Sequence, residues 1–448
     1  MTDKKTLSKK LRLYTWLISG LVKRHGKVVG LSFVLGIALV VMIMKLAPQL
    51  KQLVYHGTVM GLVGAYSPSD LPESVGKLVS FGLTEISESG EAKPALATSW
   101  EIDSTGKEYT FHLRNDVFWH DKKKFTAYDV NYNLKDVEFV PTSETELKVK
   151  LKEPFSPLVT FLAKPLFRKG LVGVGPYKIT SLRLKGDTVS YIKLMAVSGK
   201  FQTIEVKFYP SEAVLKTAFK LGEVTTIFDV TDPTSFIGWK NTSVEMVDRR
   251  NQIVTVFFNL NNSLLKEKEI RQALAYAFDK PEKNRVATPL ANKSWAYTNR
   301  VKQYEKDVAT ANKLLADIKK SSDSAGLILS TFASHLPLAQ IIASSWESVG
   351  IPTKVKVETG MPQTFDVLLA IQEIPYDPDE YSIWHSTQTV NNITHYGSPK
   401  IDKLLEDGRK EIDMEKRKKI YYDFQRYLVE DAPAIFLNHP TTYTIGKR

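Results

Sequence analysis

No cysteine occurs in the 448 residues of the chain, which excludes a disulfide scaffold, a thiolate zinc site, an iron–sulfur cluster and a cysteine nucleophile. The redox compartment stays open, because a cysteine-free protein folds in either. The chain also lacks GxxxxGK[ST], a GxGxxG following a strand, a GxSxG elbow and HExxH. Nucleotide, dinucleotide, serine-hydrolase and zincin chemistry therefore lose their usual starting points. Internal repeats and low-complexity tracts are missing too. Apolar residues are not scarce: at 43%, with 25% charged, they are enough for a large core spread over two or three domains.

The formal net charge of +12 suggests a nucleic-acid partner until it is located. Residues 1–27 carry eight Lys and Arg against Asp3 alone, so seven of the twelve charges lie in that tail. The rest are dispersed, and runs such as Lys122-Lys123-Lys124 read as solvated turns, so no nucleic-acid surface is expected.

After the basic tail, Val28 to Met44 run 17 residues without a charge, and Leu46 and Ala47 extend the run past Lys45. This length is at the short end of what spans a bilayer. A cleavable signal would end in a small-x-small site, where Lys45 and Pro48 stand instead, and a lipid anchor would need a cysteine. The positive-inside rule then predicts a cytoplasmic tail over 1–27, a transmembrane helix over 28–47 and an extracytoplasmic remainder. In the tail, Leu7, Leu11, Tyr14, Ile18 and Leu21 have near-helical spacing that suits a helix on the anionic inner leaflet. Ser32 and Gly36 form a single small-xxx-small pair.

Beyond the anchor, strands and helices alternate, which predicts an α/β chain. Tyr109–Leu113, Leu147–Leu151 and Ile204–Phe208 place apolar residues at every second position, the mark of half-buried strands. Ser211 is placed to cap a helix bearing Val214, Leu215, Ala218 and Phe219, closed by Gly222. Apolar stripes at Ile270–Phe278, Leu338–Val349 and Ile420–Leu428 predict further helices, and Ile253–Leu260, Lys354–Val357 and Phe365–Ile371 predict strands. His385 and His395 lack the i, i+4 helical spacing that brings two ligands to one ion, so no metal and no cofactor are predicted. Asp377, Asp379 and Glu380 in PYDPDEY lie between prolines and read as a turn.

The stretch Pro94 to Leu134, PALATSWEIDSTGKEYTFHLRNDVFWHDKKKFTAYDVNYNL, closely resembles the most recognisable segment of family 5 extracellular solute-binding proteins, the dipeptide- and oligopeptide-binding components of bacterial ABC importers. That family shows P-x-L-A-x-S-W, an F-x-L-R strand, H-D-G and F-T-A-x-D-V in this order. Further matches are GVGPY at Gly173–Tyr177, AFKLGEVTTIFDV, FFNLNN followed by EIRQALAYAFDK, ASSWESVGI, and the segment from HYGSPKIDKLL to NHP. In series they cover about residues 58–448.

The resemblance implies a two-lobed periplasmic-binding-protein-like fold of type II with an added domain. It places lobe I in 55–92, 172–255 and 425–448, the added domain in 93–171 and lobe II in 256–424. The lobes would close on a solute about a hinge, and Gly173, Gly175 and Pro176 fit a hinge-like loop. Strand ends that face the crevice are where α/β receptors hold ligands. The expected ligand-binding residues are therefore Asn259, Gln372 and Glu373, with Trp384, His385 and Asn392 in the loop beyond.

Two departures stand out. Peptide-binding members hold the ligand's ammonium with an Asp just ahead of a D-Y-x-x-P-like stretch, and Ile374 occupies that position, with Glu373 one step away. Lys122 replaces the usual Gly after His120-Asp121. The function implied is non-enzymatic: capture of peptides or a similar solute by a monomeric, membrane-anchored ectodomain that delivers it to an ABC permease. A membrane-anchored sensor or scaffold is the alternative, and an extracellular peptidase a further one.

Overall fold

The computed structural model describes residues 25–28, 31–32, 34–37, 40, 42, 57–198, 202–316 and 326–448. The chain divides into two compact units, Met1–Thr58 and Val59–Arg448. In the first, the described residues between 25 and 42 are helical, and Val28, Leu31, Val34, Leu35, Ile37, Val40 and Met42 are exposed. Among the described residues no helix is long and apolar enough to cross a membrane. The remainder of the expected 28–47 span lies outside the described residues, as do residues 1–24 with the predicted tail helix.

The second unit follows β1 (Gly57–Val63) with α1 (Glu73–Val79) and a ribbon of β2 (Thr84–Ile86) and β3 (Ala92–Pro94). Then come β4 (Ala97–Ile102), β5 (Glu108–Leu113), β6 (Val137–Pro141) and β7 (Glu146–Leu151), paired in the order β4-β5-β7-β6. In β5 every second residue is buried, the period-2 pattern read from the sequence. Tyr109, Phe111, Trp119, Phe125, Leu147 and Val149 make a core of their own. Lys122 holds φ at 68°, a left-handed conformation that explains why glycine suits this position.

After the short α2 (Leu158–Phe161) the chain forms β8 (Tyr177–Lys185), β9 (Thr188–Ala196), β10 (Thr203–Tyr209), α3 (Glu212–Leu221), β11 (Thr226–Val230) and β12 (Thr242–Asp248). Helix α3 starts where the Ser211 side chain accepts from the Val214 N–H and ends at Gly222 with φ 82°, so both predicted caps act.

The second lobe is contiguous. It runs through β13 (Gln252–Phe258), α4 (Lys268–Tyr276), α5 (Val308–Ala316), β14 (Leu327–Phe332), α6 (Leu336–Ser348), β15 (Thr353–Glu358) and β16 (Val367–Glu373). It ends with α7 (Tyr381–Trp384), α8 (Pro399–Lys410), α9 (Met414–Asp431) and β17 (Ala434–Asn438). Its five strands lie in the order β15-β14-β16-β13-β17. Phe258, Phe278, Trp346, Trp384, Tyr421 and Phe424 are fully buried in one core, and the Trp346 indole N–H donates to the Leu274 carbonyl at 2.9 Å.

The chain then returns in β18 (Thr441–Lys447), which lies between β12 and β11 in a seven-stranded sheet ordered β12-β18-β11-β1-β10-β9-β8. The sheets therefore exchange the chain at Arg249–Asn251 and at His439–Pro440, where the sequence suggested 255/256 and 424/425. Thr255 is inside β13, and Gln425 is buried in α9. The two passages are tied to each other: Arg249 N–H donates to the Pro440 carbonyl at 2.9 Å, and His439 Nδ1 lies 2.7 Å from the Gln252 carbonyl.

Candidate functional site

A cavity of about 1130 Å³ lies between the two sheets, beside the passages that connect them. The first lobe contributes Met60 and Leu62 from β1, Tyr66, residues of α1 and the Ser87–Gly90 turn, with Phe228 and Asp229 from β11. The second contributes Leu290–Ser294 and Glu373–Tyr376, and Arg249–Gln252 form the floor. The volume suits a substantial organic solute, since small-molecule pockets typically measure ~300–1,000 Å³.

The lobes meet across this cavity. The Tyr376 hydroxyl donates to the Glu73 carboxylate at 2.9 and 3.1 Å, and Trp295 N–H donates to the Ser89 carbonyl at 3.0 Å. Lys293 pairs with Glu88 at 2.6 Å. Burial, and then the Glu73 charge, push the Tyr376 hydroxyl above its ordinary pKa, so it is a firm donor. These contacts link the two lobes beside the cavity.

Two wall residues owe their aim to local backbone. Between Ile227 and Val230 the β11–β18 register shifts, and Asp229 takes φ 60°. Such a bulge turns a side chain out of the ladder, here toward Arg249, with which Asp229 forms an ion pair. Burial lowers the Arg249 guanidinium from its ordinary value, and the Glu373 carboxylate opposes the shift.

Of the residues expected to bind ligand, Glu373 lines the cavity, with Oε1 accepting from Gln252 Nε2 at 2.6 Å. Gln372 points to the opposite face of β16, because successive strand residues alternate, and is buried beside Thr255 and Glu380. Asn259 follows β13 directly, but β13 runs antiparallel to β16 and starts at the cleft with Gln252 opposite Glu373. Its far end is thus remote from the cavity, where Asn259 Nδ2 donates to the Phe365 carbonyl at 2.7 Å. Trp384 is fully buried against Phe257 and Phe436. His385 Nδ1 lies 2.8 Å from the Thr387 hydroxyl, and Asn392 Nδ2 donates to the Tyr396 carbonyl at 2.7 Å. The segment after β16 turns back into the core, which explains these three placements.

Gly173, Gly175 and Pro176 lie where the chain passes between the end of α1 and the His120 loop. The Gly175 N–H donates to the Val79 carbonyl at 2.8 Å, and the His120 N–H donates to the Gly173 carbonyl at 2.9 Å. A Cβ on Gly173 would sit 2.1 Å from the Val79 oxygen, so these glycines permit close backbone packing. The carboxylates of PYDPDEY, read as a plain turn, are buried: Asp377 pairs with Arg417 at 2.5 Å and Asp379 with Arg409 at 2.8 Å. Tyr66, Glu73, Asp229, Arg249 and Tyr376 were not singled out in the sequence. The one local signal was the Arg249-Arg250 pair ahead of an apolar strand.

Two α/β lobes, with a cavity between their sheets beside two connecting passages, make a two-lobed, periplasmic-binding-protein-like fold. Comparison with known proteins makes this specific. The model of the bacterial extracellular solute-binding proteins, family 5, matches residues 91–139 and 134–392, and the chain belongs to this family. It is 24% identical over 460 residues to the oligopeptide-binding protein AppA of Bacillus subtilis, covering 84% of each protein. It is 22% identical to the dipeptide-binding protein of Escherichia coli, covering 91% of this chain and 93% of that one. The structure of NikZ from Campylobacter jejuni with Ni(L-His) matches 88% of this chain and 94% of its own at a TM-score of 0.73 and 24% identity.

Proposed function

We propose that the protein is the receptor of an ABC importer, capturing peptides outside the cytoplasm by closure of its two lobes and passing them on without covalent change. The observation that carries this reading is the 1130 Å³ cavity, bridged at its mouth by contacts between the lobes. Oligopeptide- and dipeptide-binding relatives over most of the chain support peptide as the ligand class. With Ile374 at the ammonium-binding position, Glu373 on the cavity wall takes the role of ammonium anchor. The uncharged run after a basic tail supports a membrane anchor over 28–47, which keeps the receptor near its permease and raises their effective concentration.

The test is native mass spectrometry of the full chain purified without denaturation. A ladder of peptide masses supports the reading. A single mass such as a metal–amino acid complex, like the ligand of the NikZ structure, moves the solute to another class and refutes peptide capture. Glu373→Gln should weaken binding of peptides with a free N-terminus by roughly tenfold, the loss of one hydrogen bond to a charged group. N-acetylated peptides should be unaffected, and equal losses for both forms would remove Glu373 from the site.

A further inference from the structure

The cavity wall carries four cations, and their partners differ. Lys77 and Lys293 sit at the mouth, each engaged by its own carboxylate, Glu73 at 2.5 Å and Glu88 at 2.6 Å. Arg250 is exposed to solvent. Arg249 is different: it is half-buried on the floor, where the chain passes between the sheets. Its Nε donates to the Thr442 hydroxyl at 3.2 Å, which fixes the plane of the guanidinium. One terminal nitrogen pairs with Asp229. The other donates to no group among the described residues, while Glu373, Tyr376 and Tyr66 line the same cavity.

Its partner is held in an uncommon way. Asp229 reaches Arg249 only because β11 bulges and its own backbone turns left-handed, φ 60°. Strained non-glycine residues persist at ligand sites when the surroundings over-determine them. The pair is also open to water, with 44% of the Asp229 side chain and 31% of the Arg249 side chain exposed. An exposed ion pair of this kind is weak. A planar guanidinium with a free edge suits two-point recognition of a carboxylate.

We propose that Arg249 is the anion anchor of the cleft, held at rest by Asp229 and handed to a carboxylate of the ligand on binding, so that the receptor selects solutes with a free carboxylate. Within the peptide reading, on which this rests, that group is the C-terminus. Asp229 is a positioning residue and resting counter-ion. Arg249 N–H is bonded to Pro440 of the second passage, so ligand contact is made at the element about which the lobes turn.

The test titrates the full chain with a mixed pool of dipeptides, whose two charged termini lie close enough for neighbouring anchors, supplied as free acids and as C-terminal amides, with bound fractions read by native mass spectrometry. Wild type should hold the free acids at least tenfold tighter. Because this comparison alters only the ligand, it does not depend on the folding of a variant. In Arg249→Gln the preference should fall to within about twofold while amide binding persists. In Asp229→Asn the free acids should bind tighter, since the competing anion is gone, with the amides unchanged. Equal binding of both forms by wild type, or a preference that survives Arg249→Gln, overturns the proposal and leaves peptide capture standing. An equal loss of both forms in Asp229→Asn removes Asp229 as counter-ion. Binding of neither form by wild type removes the peptide reading, and this proposal with it.

Discussion

Replacing Asp377 by Ala should cost the protein about 3–5 kcal/mol, the penalty for leaving a buried charge unpaired. Arg417 donates to both Asp377 oxygens, at 2.5 and 2.8 Å, and the two side chains are only 6% and 8% exposed. Arg417 Nε donates to the Gly408 carbonyl at 2.8 Å, and its guanidinium lies 5.5 Å from the Trp295 ring. The guanidinium is thus fixed in place and cannot swing to water when its anion is removed. Asp379 is no substitute, because Arg409 holds it through two bonds at 2.8 and 2.9 Å. Urea denaturation of the full chain, followed by tryptophan fluorescence, measures the loss. Replacing both partners, Asp377→Leu with Arg417→Met, should restore most of it, because an apolar pair needs no desolvated counter-charge. A loss below about 1 kcal/mol for Asp377→Ala, the value of a surface pair, would refute the argument that burial makes this pair indispensable.

Tyr376→Phe deletes a hydrogen bond that bridges the lobes to Glu73. It should lower ligand affinity roughly fivefold, about 1 kcal/mol, without shifting the urea midpoint; an unchanged affinity in the same titration would show that the bridge does not assist closure. Burial, and then the Asp379 charge, hold the Glu380 carboxyl well above its ordinary pKa, so the folded chain keeps a proton that the unfolded chain releases. Stability should therefore fall as pH rises through the ordinary glutamate range toward the folded value. Glu380→Gln removes that dependence: its melting temperature should exceed that of wild type at about pH 8, and the gap should close near about pH 4. A gap equal at both values would contradict it.

Much of the scaffold was legible because its signals are local. The period-2 runs of β5, β7 and β10 and the Ser211 and Gly222 caps of α3 lie within about two residues of their predicted places. Glu373 was expected at the crevice because it ends its strand, and it lines the cavity. The remaining wall of the cleft was not legible, because it joins a short helix, a Ser-rich turn, two passages and the 290–294 loop, none of which carries a periodic pattern. Asn259 was misplaced because strand direction, parallel or antiparallel, is not written in a run such as IVTVFFNL. Asp229 sits in VTTIFDV, which reads as an unbroken strand, and only the pairing with β18 shows the bulge. The carboxylates of PYDPDEY were undervalued because their partners lie 30 and 40 residues away in sequence.

The place of β18 in its sheet sets an order of assembly. Strands β13 to β17 are contiguous, so the second lobe can fold as soon as its own residues are available. The first lobe cannot: β11 pairs on one side with β1 and on the other with β18, and β12 touches the sheet only through β18. A chain emerging N-terminus first must therefore hold β12 without its neighbour until the whole second lobe has been made. Non-local pairing of this kind slows folding and exposes an unpaired edge meanwhile. The binding cleft, which needs both sheets, is the last part of the receptor to exist, so it forms only on a chain that has already completed everything else.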